Sequence, residues 1–164
     1  MVIDLVPVKE KEKYILANLL EFYQYEFSEF DGFQLDETGK FGYKYLDNYW
    51  QEKERFPFFI KVNDKLGGFV LVNNYTYASK DKQTKTIAEF FVLKKYRRQG
   101  VGKQAAILIF NMYPGRWELR ETNQNKQAQK FWRNVIEEYT QGDYQEILLN
   151  NKTWKSPVQI FKSK

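Results

Sequence analysis

Residues 86–110 constrain this chain more than any other stretch. Thr86-Ile87-Ala88-Glu89-Phe90-Phe91-Val92-Leu93 is apolar and aromatic with β-branched members, the composition of a buried strand. Lys94 to Gly102 then joins positive charge (Lys94, Lys95, Arg97, Arg98) to two glycines, and Lys103 to Phe110 is helix-forming and nearly free of polar residues. Strand, basic glycine-containing loop and helix in that order aim backbone N–H groups and a helix N-terminus at one point. Such a point is an anion site, and phosphate is its usual guest.

The chemistry of a pyrophosphate fits this loop. Glycine at 100 and 102 leaves room for backbone to approach without a Cβ in the way. The amides of Gln99, Gly100, Val101, Gly102 and Lys103 can donate, while Arg97, Arg98 and Lys103 add charge. A charge-assisted hydrogen bond contributes roughly 1.5–3 kcal/mol, against roughly 0.3–1 kcal/mol for a helix dipole, so amides and arginines should dominate. Gly100-Val101-Gly102-Lys103-Gln104-Ala105 also fits the dinucleotide pattern G-x-G-x-x-A, with Glu118 as the acid further on. Six residues separate the strand from the first glycine, however, and little chain follows Glu118 for a second nucleotide-binding half.

Two absences narrow the chemistry. The 164 residues contain neither cysteine nor histidine. Disulfides, thiolate nucleophiles, imidazole bases and histidine-based metal sites are excluded, and no metal is expected. A general base must be a carboxylate, a tyrosine, a lysine, an amine terminus or water. The lack of cysteine fits a reducing cytoplasm. Neither a signal-like start nor a membrane-length apolar run is visible, so the expectation is a protein without a membrane partner. The length suits one domain over residues 1–164.

Net charge is +5, spread unevenly: Glu21 to Glu37 holds six acids and no Lys or Arg. Within it, acids alternate with aromatics from Glu21 to Phe33. Glu26, Phe27, Glu29 and Phe30 are the residues there best suited to a cationic amine, through ion pairing and cation–π contact. Nucleic acid is not an expected partner, because the basic residues are dispersed, no recognition motif is present and the acidic insert repels phosphate.

Periodicity gives the order of elements. Val2–Val6 reads as a strand, Lys9–Tyr23 as a helix, Ser28–Gly42 as loop, Tyr43–Glu54 as a second helix, and Phe58–Val62 with Leu66–Val72 as a hairpin. After the central strand–loop–helix come a strand at Trp117–Arg120, a helix to about Tyr139 capped by Asn123 or Asn125, and strands at Tyr144–Leu149 and Val158–Phe161. This order predicts an α/β fold of the mixed α+β kind, one sheet covered by helices on both faces, with a parallel crossover from Glu89–Val92 to Trp117–Arg120.

Arg97-x-x-Gly100-x-Gly102 after a hydrophobic strand resembles the acetyl-CoA signature of the GNAT superfamily of N-acetyltransferases, and Asn125-x-x-Ala128-x-x-Phe131-Trp132 resembles a helix motif of the same family. The resemblance implies a central, mostly antiparallel mixed sheet of about six to seven strands flanked by four helices, splayed between two central parallel strands. It implies acetyl-CoA as cofactor and a small amine as acceptor, in a monomer or homodimer. Cofactor contacts would fall to Phe90, Phe91, Val92, Arg97, Arg98, Gln99, Gly100, Val101, Gly102, Lys103, Asn123 and Asn125. Direct attack of the amine on the thioester then needs a base, for which Glu89 stands first and Glu118 second. Trp132 occupies the position where the family often carries a tyrosine acid, leaving Tyr96, Tyr139, Tyr144 or water for that role. A non-catalytic acyl-CoA sensor is the alternative reading.

Overall fold

The computed structural model describes residues Met1–Lys164. Seven strands form two antiparallel sheets. The first has the order β1-β2-β3-β4, from β1 (Ile3–Pro7), β2 (Phe56–Val62), β3 (Lys65–Asn73) and β4 (Thr86–Val92); the second has the order β5-β7-β6, from β5 (Gly115–Arg120), β6 (Tyr144–Asn150) and β7 (Lys155–Ser163). Four α-helices accompany them: α1 (Lys13–Asp31), α2 (Asn48–Gln51), α3 (Val101–Met112) and α4 (Lys126–Thr140). None is long and apolar enough to cross a membrane.

The expected single sheet is divided where β4 meets β5. The two run parallel but touch only at the bridge Lys85–Trp117, where Lys85 N–H donates to the Arg116 carbonyl at 3.0 Å and Glu118 N–H to the Lys85 carbonyl at 2.9 Å. Beyond it the strands splay, so β4 and β5 face each other across a gap with ladder groups that have no strand partner. Buried backbone groups need partners, which makes such a gap a slot for an extended ligand with amides of its own.

Alternation along the first sheet builds a core on each face. Phe58, Ile60, Val62, Val70, Val72, Ile87 and Val92 pack with Val101, Ala105, Ile109 and Phe110 of α3 and with Trp132, Val135 and Ile136 of α4. Phe59, Phe69, Leu71 and Phe91 point the other way, onto Leu16, Leu19, Leu20 and Tyr23 of α1 and Tyr49 of α2. The doublet Gly67-Gly68 explains itself within this packing. Gly67 is the extra residue of a bulge opposite Ile60/Lys61, and a Cβ on Gly68 would collide with the Phe91 carbonyl of β4.

Two helices differ from their sequence-based limits. The first runs on to Asp31, because the inner-face spacing Leu16, Leu20, Tyr23, Phe27, Phe30 continues until Gly32 ends it in a left-handed conformation at φ 65°. The second shrinks to one turn, Asn48–Gln51. Only Leu46, Tyr49 and Trp50 anchor it, the last by donating its indole N–H to the Val8 carbonyl at 3.0 Å. Tyr43, expected at its start, lies outside the helix and turns toward the gap.

Candidate active site

The gap between β4 and β5 opens into a cavity of about 730 Å3 that passes from the α3/α4 face of the sheet to the α1 face. On the α3/α4 face lies the basic loop. Gly100 is the N-cap of α3 with φ 83°, a conformation unfavourable for residues with a Cβ, and no side chain caps the helix. Its first-turn amides therefore remain available, as the first N–H groups of a helix have no partner within it. Gly102 serves a different purpose: a Cβ there would stand 3.2 Å from the Phe131 ring of α4 and 3.6 Å from Phe90. The second glycine lets α3 seat against two aromatic rings, a steric reason that the loop sequence does not display.

The loop residues divide by location. Arg97, Arg98, Gly100, Gly102 and Lys103 line the cavity, as do Phe90, Phe91, Val92 and Asn125. Val101 is fully buried in the core, and the Gln99 side chain folds back onto the Lys95 carbonyl, so these two can offer only backbone. Asn123 does not line the cavity. Its carbonyl accepts from Gln129, and it is Asn125 that caps α4, accepting the Ala128 N–H at 3.0 Å. Arg97 is not a free cation. Its Nη2 donates to both carboxylate oxygens of Glu26, at 2.9 and 2.8 Å, and its Nε donates to the Val92 carbonyl at 2.6 Å. Lys103 is paired with Glu138. Arg98 is left as the cavity-lining loop cation without a carboxylate partner.

On the α1 face sits Glu89. A register shift between Leu71 and Val72 leaves Ala88 as the extra residue of a bulge in β4, which re-aims the strand immediately before Glu89. The Glu89 carboxylate accepts from the hydroxyl of Tyr23 on α1 and from that of Tyr43 at 3.1 Å. Burial pushes its pKa up to about 7; the two tyrosine hydroxyls and the Arg120 charge pull it down, and Asp31 pushes it up. Burial and the neighbouring carboxylate also raise Tyr23 and Tyr43, well above the usual phenol range, so both keep their protons.

Several sequence expectations are corrected by position. Glu118 is fully buried, and its two oxygens collect the backbone N–H groups of Tyr77, Ala78 and Ser79 at 2.6–3.2 Å. A carboxylate spent on three loop amides, off the cavity wall, holds a loop and is not placed to take a proton from an acceptor. Glu29 and Phe30 line an adjoining groove, outside the main cavity, whereas Glu26 and Phe27 line both. Tyr96, Tyr139 and Tyr144 do not line the cavity; Tyr139 donates to Asn111 at 2.8 Å. Trp132 packs between Phe90 and Phe131, at centroid distances of 5.0 and 4.9 Å.

Sequence reasoning missed Tyr43, Arg120, Tyr77 and Trp154, and named Tyr23 only as the end of a helix. Tyr23 does sit on the inner stripe of α1, and nothing in that spacing marks its hydroxyl. The signal for Arg120 was alternation: with Trp117 and Leu119 inward on the α3 face, Glu118 and Arg120 must point to the face of Glu89.

These features fit an acyl-CoA. The uncapped helix start and Arg98 suit its phosphates, and the unpaired strand edges suit the amides of its extended arm. A family model for the acetyltransferase (GNAT) family matches residues 18–135. No protein of curated function matches in sequence. Among solved structures the chain is similar to an acetyltransferase from Thermus thermophilus, with TM-score 0.73 at 14% identity over 99% of this chain and 97% of that one. It is also similar to the ribosomal-protein-S18-alanine N-acetyltransferase from Escherichia coli, with TM-score 0.61 at 10% identity over 99% and 94%. A third likeness is to aminoglycoside acetyltransferase AAC(6')-Ib in complex with coenzyme A, with TM-score 0.65 at 12% identity over 98% and 95%. Identities this low speak for the fold, while the family model spans most of the chain: the protein belongs to the GNAT family of acetyltransferases and uses acetyl-CoA.

Proposed function

We propose that this protein acetylates the primary amine of a small, ammonium-bearing acceptor, with Glu89 as the general base. One observation carries the reading: a carboxylate of pKa about 7 lies on the central strand beside the splay, held by two tyrosine hydroxyls in the wall of the cavity. A base poised near the operating pH is both available as carboxylate and strong enough to accept a proton.

When bound, acetyl-CoA supplies the acetyl group as a thioester that a neutral amine can attack. The chain's own residues prepare the two partners. The α3 amides, with Arg98, would hold the phosphates, and the free edge of β4 near Phe90 to Val92 would hold the arm. Glu89 takes the proton from the acceptor ammonium, and Tyr23 and Tyr43 stabilise the carboxylate that must exist beforehand. The aromatic wall of Tyr23, Phe27, Phe33 and Tyr43, with Asp31 also lining the cavity, favours a cationic head group. Glu26, spent on Arg97, contributes little to that preference. The absence of cysteine agrees with direct transfer without an acyl-thiol step and with a reducing compartment such as the cytoplasm.

The test is Glu89→Gln, assayed by CoA release across a panel of amines, with acetyl-CoA binding followed by calorimetry. The expected result is unchanged binding and a fall of about 10²–10⁴ in turnover, the usual worth of a general base. Full activity in the variant would remove Glu89 from the chemistry. Tight acetyl-CoA binding by the wild type without turnover of any amine would support the sensor instead.

A further inference from the structure

The α1 face of the cavity holds one charge that proton transfer does not use. Arg120, the last residue of β5, lies across the gap from Glu89 on the same face of the fold and lines the cavity. Its charge reaches Glu89, where it favours the carboxylate. Arg97 and Lys103 are neutralised by Glu26 and Glu138, but Arg120 has no carboxylate partner. Its one protein acceptor is the Tyr75 carbonyl, 3.0 Å from Nη1.

This guanidinium is held in place. Its carbon lies 3.9 Å from the Tyr77 ring centroid and 5.7 Å from that of Trp154, and the two rings are 5.5 Å apart. Tyr77 is itself fixed, because Glu118 gathers the amides of residues 77–79. The buried carboxylate of β5 thus positions the loop, the loop positions a ring, and the ring fixes the arginine. A planar fork immobilised beforehand, with most of its N–H groups unspent, matches the bidentate geometry of a carboxylate and loses little freedom on binding one. The cofactor's phosphates do not account for it, since the α3 loop that receives them is on the opposite face of the sheet.

Resting on the acetyl-transfer reading above, we propose that Arg120 anchors a carboxylate of the acceptor, so that the substrate is an amine that also carries a carboxylate. The ammonium sits at Glu89 and the carboxylate at Arg120, on the two walls of one cleft. Tyr77 and Trp154 are then specificity residues acting through Arg120, and Glu118 is a positioning residue behind them.

Paired substrates that differ only in the carboxylate test this: lysine against cadaverine, arginine against agmatine, phenylalanine against phenethylamine. In the wild type the carboxylated member of each pair should show at least a tenfold lower KM. Arg120→Gln should raise that KM by about 10- to 100-fold relative to the KM of the decarboxylated member; both members are compared well above the acidic limb, where losing the Arg120 charge beside Glu89 acts on them equally. Arg120→Lys, which keeps charge but loses the fork, should fall between; it carries the same comparison if thermal unfolding shows Arg120→Gln to be misfolded. Equal use of both members by the wild type, or a preference that survives Arg120→Gln, overturns the anchor while leaving acetyl transfer intact. Calorimetric binding of the carboxylated members that depends on Arg120, with no acetylation of any amine, supports the anchor and sinks the acetyl-transfer reading instead.

Discussion

Tyr23→Phe puts the proposed base to a quantitative test. The hydroxyl of Tyr23 donates to Glu89 and to nothing else, while its ring packs against Phe27, Phe69 and Phe91 at centroid distances of 4.4, 5.6 and 6.3 Å. Phenylalanine keeps that packing and removes one hydrogen bond to the carboxylate. A hydrogen bond to a charged group is worth roughly 1.5–3 kcal/mol, and a pKa unit is about 1.36 kcal/mol. Losing a donor disfavours the charged form, so the Glu89 pKa should climb by roughly one to two units from its value of about 7. The active species is the carboxylate, so the acidic limb of the kcat/KM profile should move from about pH 7 to roughly pH 8–9. At pH 7, where half of the wild type is already carboxylate, the variant should then be slower by about five- to fiftyfold, and most of the loss should be recovered at high pH. Tyr43→Phe should move the limb the same way. Carboxyl-carbon NMR of Glu89 would separate its titration from that of the acceptor amine. A limb that stays at pH 7 or shifts toward acid would refute the argument, and so would a loss as large at pH 9 as at pH 7.

Three further outcomes follow from the geometry. Glu118→Gln should free the loop amides of residues 77–79 and raise the acceptor KM while leaving the limb near pH 7 in place; a vanished limb would make Glu118 a base after all. Gly102→Ala should weaken acetyl-CoA binding, measured by calorimetry, because its Cβ presses on Phe131, and adding Phe131→Leu should restore it. No restoration would mean that the glycine is required by the cofactor itself. Glu121 is buried with neither oxygen partnered, and burial pushes its pKa up to about 8. The folded state therefore keeps a proton that the unfolded chain releases, and stability should fall as pH rises from about 4.5 to about 8, by at most about 1.4 kcal/mol per pH unit. Glu121→Gln should flatten that slope in chemical denaturation; an unchanged slope would refute the assignment.

How far the sequence could be read depended on whether a feature was local. The strand–loop–helix at residues 86–110 was legible because its parts are contiguous: the apolar run, the charge and the helix start all appear in order. Glu89 was legible for the same reason, as a carboxylate on the strand that leads into the loop. What was hidden depends on residues distant in sequence. Tyr23 is 66 positions from Glu89 and Tyr43 is 46, and each reads locally as an ordinary aromatic at the end of a helix. Glu118 looked catalytic because it is an acid on the neighbouring strand. Its real partners, 39 to 41 residues earlier, are backbone groups that carry no sequence signature. Phe131 gives Gly102 its reason from another helix.

Helix α1 ties the two halves of the site together. Tyr23 and Glu26 are three residues apart, adjacent on one helix face; the first donates to the proposed base and the second accepts from Arg97 Nη2 in the loop proposed to hold the cofactor. Phe27, one position further, packs on Tyr23 and lines the same cavity. Arg97 in turn holds the end of β4 through the Val92 carbonyl. A movement of α1 therefore cannot alter the base without also pulling on the loop. Because the Glu26–Arg97 pair is about one-third exposed at both side chains, screening limits its strength, and its importance is geometric. In Glu26→Gln the loop should lose its tie to α1, so acetyl-CoA affinity and the Glu89 limb should change together. A variant in which only the affinity changes would show that α1 serves the loop alone.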